Sequence, residues 1–229
     1  ASARVSRWLS WRAFSSELVG AVGAEAGLVL QGDGGVAVAR LAPDGSVVWA
    51  AGFGAELDEL TGGLAVGADG NPVLVATFYS AQLTVAGSDL LNDGDGADAF
   101  LVKLGAATGA PLWVRRIGQS GSFTPGGVAV APSADANQPG DVVVAGTFQG
   151  TLVCLGPSCV NGQIQSSSVE AFVQRVAGDG LTLRWTKTVG GPGADAANAV
   201  AVGADGSVFA GGKVSQDAKL DMITLTPAG

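Results

Sequence analysis

Residues 88–100, SDLLNDGDGADAF, bring Asp89, Asn92, Asp93, Asp95 and Asp98 into one short stretch. Side-chain oxygens at this density suit a hard cation, because Ca²⁺ takes six to eight oxygen ligands. Asp93, Asp95 and Asp98 are the candidate calcium ligands. The spacing departs from the EF-hand loop: Ala97 stands at the fifth position counted from Asp93, and no glutamate closes the set. The corresponding stretch GQIQSSSVEAF (162–172) has no such cluster. Asn, Asp and Gly also make turns by themselves, so a solvated turn is the alternative reading. Asp58 and Glu59, in AELDELTGG (55–63), are the only adjacent acids. On a strand, neighbours face opposite sides, so the pair does not bracket a glycosidic bond. The chain has no histidine, which excludes Ser-His-Asp and Cys-His catalysis.

Cys154 and Cys159 frame CLGPSC. A Gly-Pro turn between them brings their Cα atoms toward the ~4.4–6.8 Å that a disulfide requires. The expectation is a disulfide and an oxidising compartment, with two free thiols as the alternative. Two ligands are too few for a zinc site. The 229 residues carry a net charge of −8, 37 glycines and only 14% charged residues. The surface repels phosphate backbones and anionic lipid, so a nucleic-acid partner is not expected. No apolar run approaches the ~20 residues of a membrane-spanning helix. The opening ASARVSRWLSWRAF lacks the apolar core of a secretion signal. That leaves a cytosolic protein, or a mature chain whose leader has been removed. The cysteines favour the second, hence an extracellular or cell-envelope location.

The elements that would position these residues recur. VARLAPDGSVVWAAGF (38–53), LVKLGAATGAPLWVRRIG (101–118) and VQRVAGDGLTLRWTKTVG (173–190) each read strand, turn and a second strand bearing Trp49, Trp113 or Trp185. Between them lie GGLAVGADGNPVLVATF (62–78), GGVAVAPSADANQPGDVVVAGTF (126–148) and NAVAVGADGSVFAGGK (198–213), again strand, turn, strand. A degenerate version is VGAVGAEAGLVLQGDGG (19–35). Asp-Gly and Thr-Gly pairs suit hairpin turns, because Gly supplies positive φ at no steric cost. Each unit is therefore two hairpins, four strands.

The tail KLDMITLTPAG (219–229) reads as a worn copy of DAFLVKL (98–104), with Asp221 at the place of Asp98 and Glu170. It stops before a Trp strand, and RWLSWRAF (7–14), with Trp11, supplies that strand from the other terminus. The expected fold is an all-β propeller of four blades of four antiparallel strands, closed by pairing of the N- and C-terminal strands. The blades are 19–53, 62–118, 126–190, and 198–229 with 7–14, forming one domain over 1–229. Uneven Trp spacing also admits a longer ring, or one ring shared between two chains.

The unit GVAV…DG…VVVAGTFQGTL…EAFVQRV…DG…LRW resembles the β-propeller repeats of secreted bacterial proteins known as SBBP repeats. KLGAATGAPLW resembles the tryptophan-docking segment of quinoprotein propellers. The second resemblance implies that Trp11, Trp49, Trp113 and Trp185 wedge between adjacent blades. Neither implies a catalytic residue, and a quinone cofactor is unsupported without an adjacent cysteine pair. The function expected is a non-catalytic module for protein interaction or self-assembly, with 81–97 and 149–168 as contact segments. The alternatives are a lectin-like binder, with exposed tryptophans stacking on carbohydrate, or a calcium-dependent ligand binder. A carboxylate-based hydrolase or lyase is the remaining class.

Overall fold

Apolar residues alternate or run together over six or seven positions, then meet a turn whose glycine takes positive φ. That pattern writes antiparallel hairpins. In the computed structural model, residues 20–21, 34–94, 96–133, 138–156 and 159–227 are described, and every regular element among them is a β-strand. The first sheet holds β1 (Gly20–Ala21), β2 (Val36–Leu41) and β3 (Val47–Phe53), in the order β1-β3-β2. The second is built from β4 (Glu59–Val66) and β5 (Pro72–Phe78). After an inserted hairpin, β6 (Gln82–Val85) and β7 (Ser88–Leu91), it continues with β8 (Asp98–Leu104) and β9 (Pro111–Ile117). Its order is β4-β5-β8-β9. The third sheet is a meander of β10 (Ser120–Val130), β11 (Val142–Val153), β12 (Gln163–Val176) and β13 (Leu183–Val189). Two hairpins follow: β14 (Ala196–Val202) with β15 (Val208–Lys213), and β16 (Ala218–Leu220) with β17 (Ile223–Leu225).

The repeat is visible in the register. The first hairpin of a unit slips at Thr61/Gly63, Pro125/Gly127 and Ala197/Ala199. The second slips at Arg40/Leu41, Lys103/Leu104 and Arg175/Val176. Bulges bend and twist a pair at one chosen place, and here that place is kept in every copy. Two units are whole. Among the described residues the other two are halves: β2–β3 corresponds to a second hairpin and β14–β15 to a first hairpin.

The core lies in layers between successive sheets. One layer joins Val36, Val38, Trp49 and Phe53 of the first sheet to Leu74, Phe78, Phe100 and Leu104 of the second. Another joins Val73, Val75 and Leu101 to Phe123, Val144, Phe148 and Phe172 of the third. This explains why β5 and β8 are buried at every position and read as unbroken apolar runs. The third layer, against β14, has Ala145, Ala171 and Ala197 as its buried members among the described residues. Strands β4, β10 and β14 lie side by side, β10 touching both, so the sheets fan from one line.

Three expectations change. The tail is not a third strand: 218–225 form a separate short hairpin, with Asp221 at its turn at φ +52°. Ala86 and Asn161 hold the same conformation, φ +51° each, at the turns following β6 and Val160. The tail therefore copies the inserted hairpin of the second unit, and its acid is a turn residue. Residues 20–21 pair with β3, on the outer side of the sheet, rather than starting an inner hairpin beside β2. Segment 81–97 is no free loop, because Leu83 and Val85 are fully buried. The strand expected at 7–14, with Trp11, lies outside the described residues. No sheet closes on itself among the described residues, and β2 and β15 each keep one edge without a partner strand.

Candidate assembly surface

Trp49 and Trp113 end on the turn of the following sheet. A Cβ at Gly109 would stand 2.5 Å from Cε3 of Trp49, and one at Gly180 would stand 2.5 Å from Cδ2 of Trp113. The turn needs glycine twice over: φ is +74° and +76° at these positions, and the indole occupies the space of a side chain. Trp49 Nε1 donates to the Ala106 carbonyl at 2.8 Å, and Trp113 Nε1 to that of Gly178 at 3.1 Å. Cations clamp the same turns. Arg40 donates to Ala106 O at 2.6 Å, and Arg115 to Gly180 O and Leu181 O at 3.1 and 2.9 Å.

Trp185 occupies the equivalent position on β13 and has no such seat. It is half-buried, and among the described residues no carbonyl accepts from its indole nitrogen. It borders a groove of about 600 Å³ running between the third sheet and the terminal hairpins, lined by Val173, Val189, Ala210, Leu220 and Leu225. In the second unit the matching space is filled from β8 by Phe100, Val102 and Leu104, each fully buried. The groove stands where a second hairpin packs in the whole units, and among the described residues none of that kind follows β15. On its far side Phe209 of β15 is 65% exposed, although the equivalent Val73 and Val143 are fully buried.

The acidic stretch takes a different form. Asp98 is fully buried, with Arg116 Nη2 2.6 Å from Oδ2 but not aligned as a hydrogen bond. Asp93 lies 3.4 Å from the same nitrogen. Burial pushes the Asp98 carboxyl up to about 6 against the opposing charge of Arg116. Asp95 lies outside the described residues. Among the described residues no three His, Cys, Asp or Glu side chains are grouped to hold a metal.

Glu59 is also buried, and desolvation raises its carboxyl to about 7 although the Ala55 N–H and the Ser80 hydroxyl donate to it. Glu59 and Asp98 are both register partners of Phe78, so they share a row across three strands. Two strand spacings, roughly 9.5 Å, and the Phe78 ring separate them. The cavity nearest Glu59 is lined by Leu57, Asp58, Leu60 and Tyr79, so Asp58 opens outward while Glu59 does not. The two raised acids do not converge on one funnel.

Cys154 and Cys159 are joined by a disulfide, Cα atoms 5.9 Å apart, at the tip of the β11–β12 hairpin. An acid–serine clasp escaped sequence reading. Glu59 begins the first strand of its unit and Asp195 immediately precedes that of its own, and Ser80 and Ser215 each stand two positions past the end of the second strand. Asp195 is 1% exposed and accepts the Ser215 N–H at 3.0 Å. The signal was available in these matched positions, but the middle copy has Phe123 there, which stacks on Phe148 at 6.2 Å instead. No protein-family model matches this sequence, and no curated protein matches it.

Proposed function

We propose that this chain is built from β-propeller blades of the SBBP-like type and acts as a non-catalytic interaction or assembly module outside the cytoplasm. The carrying observation is the β15 edge, unpaired among the described residues, beside an apolar groove that Trp185 borders. Exposed edges of this kind add a strand from a partner, with main-chain hydrogen bonds giving affinity and side-chain pockets giving choice. Strands β4, β10 and β14 lie side by side as the first strands of three sheets, and the β2–β3 sheet packs on the second of the chain's sheets. That arrangement supports the propeller reading, and closing the ring requires the halves to meet. The disulfide supports an oxidising, extracellular or envelope setting.

A sugar-binding role draws less support, because Trp49 is 2% exposed and its indole covers Gly109. A calcium role draws less as well, since Arg116 already faces Asp93 and Asp98. The test is a third-strand probe: a synthetic peptide of the β8 sequence, Asp98–Leu104, titrated onto the chain. Saturable binding that a scrambled peptide does not reproduce, and that protects β15 amides from exchange, supports the reading. Equal binding of both peptides, or none of either, removes it.

A further inference from the structure

We infer that the partner of the groove is a second copy of this chain, docking head to tail through its own β2–β3 hairpin. The inference rests on the interaction-module reading and names its occupant. The chain already makes the same sheet-to-sheet joint twice, with Trp49 seated on Gly109 and Trp113 on Gly180. Among the described residues the parts of a third joint stand apart, one at the β2–β3 hairpin and the other at Trp185. Trp185 is a docking tryptophan without a turn. The turn at 42–46 is a docking turn on which no tryptophan of the described residues rests: Gly45 has φ +84°, and none of their atoms lies within 4 Å of a Cβ built there. Aligning the turns places the Pro43 carbonyl where those of Ala106 and Gly178 accept an indole N–H.

The strands agree. β15 is a second strand lacking a third, and β2 is a third strand that pairs with no second strand among the described residues. Joining them gives the order β14-β15-β2-β3, the order of the whole sheets. The faces agree too. In the two formed joints the Cβ positions of Gly63 and Gly127 meet Val128 and Val200 on the next sheet. The residue preceding that series is Leu64, 51% exposed, and the residue awaiting a cover at its end is Ala199 on β14. Phe209, exposed at the free face of β15, would enter the same new layer. Among the described residues β2 and β15 are hydrogen-bonded neither to each other nor to a further strand on that edge, so the β15 edge of one copy can meet the β2 edge of another. Such a contact joins different surfaces on the two partners and therefore propagates into a ring or a filament.

The test uses analytical ultracentrifugation of the full chain with two variants. Trp185→Ala removes the knob. Gly45→Asn puts a side chain on the seat while keeping a residue that tolerates positive φ. The expected result is concentration-dependent association of the parent chain and a dissociation constant at least about thirtyfold weaker for either variant, as for a central hot-spot residue. Mixed together, the two variants should recover a single species of one copy of each, because the intact turn of one fits the intact groove of the other. A self-complementary dimer would show no such rescue. Unchanged circular dichroism spectra and melting temperatures establish that both variants fold. A parent chain that stays monomeric up to about 1 mM, the weak end of association, overturns the inference. So does a monomer whose Trp185 emission responds to Gly45→Asn, which would mean closure within one chain. Peptide binding in a chain that remains monomeric leaves the module reading standing and removes only the second copy.

Discussion

Removing the indole of Trp113 uncovers Gly180 and leaves an N–H acceptor, Gly178 O, without its partner. A large aromatic truncated at a packed joint costs ~3–5 kcal/mol. Trp113→Ala should therefore lower unfolding free energy by about that amount in urea titrations, whereas Trp185→Ala in the dilute monomer should cost clearly less, since Trp185 covers no turn. Equal losses would mean that Trp185 is seated after all. The buried acids make a separate prediction. Folding raises Glu59 from 4.5 to about 7 and Asp98 from 3.8 to about 6, so the folded chain holds more protons than the unfolded one between these values. Stability then falls as pH rises through that interval, because the native state must ionise carboxyls that burial keeps neutral. The melting temperature should be higher near pH 5 than near pH 8. Glu59→Gln, neutral at every pH, should flatten the part of the curve that reaches to about 7. A curve that instead rises with pH would put both acids in the ionised form throughout.

Hairpins explain how far the sequence could be read. Asp69-Gly70, Asp179-Gly180 and Asp205-Gly206 declare their turns by chemistry, and the strands around them fall where the apolar runs predict. The tail misleads for an equally physical reason. KLDMITL fits a third strand and a short hairpin alike, and only the positive φ of Asp221 decides between them. Ala86 shows why this could not be seen: alanine gives no hint of φ +51°, whereas Asn161-Gly162 does. The candidate surface was legible in part. The tryptophan positions stand out by type, but the emptiness of the Trp185 seat depends on which hairpins are halves. That is a property of topology, and local patterns do not carry it. The β11–β12 tip offers a test at this scale. The Cys154–Cys159 link spans five positions, and loop-closure entropy assigns it about 2 kcal/mol. Backbone pairing already holds the tip, since Cys154 N donates to Gly162 O at 2.8 Å and Val160 bridges to Gln163. Reduction should raise amide exchange between about 153 and 163 and leave β10 and β13 unchanged. Faster exchange across the whole third sheet would show that the disulfide supports the blade and not only its tip.

Across the molecule, stability should be graded along the chain. Repeat arrays behave as a sum of units and nearest-neighbour joints, so an end unit with one poor joint opens at lower cost than the middle. The second and third sheets share a layer rich in Val, Leu and Phe, whereas the β14–β15 hairpin meets the third sheet through three buried alanines. In dilute solution, hydrogen exchange should be slowest in β5 and β8, which are buried on both faces, and fastest among the strands in β14 to β17. Denaturant should release the C-terminal hairpins before the two whole sheets, giving probe-dependent transitions in place of one two-state curve. The same gradient reports on assembly. If a second copy completes the last blade, raising the protein concentration buries the β15 edge and the groove beside it, while the joint between the second and third sheets is already formed. Protection should then rise with concentration in β15 and β2 together and stay constant in β5 and β8. The net charge of −8 opposes association between like chains, so added salt should shift the gain to lower concentration by screening that repulsion. A gain in β15 without one in β2 would place some other surface on the groove. Full protection of both at every concentration would mean that the ring closes within a single chain.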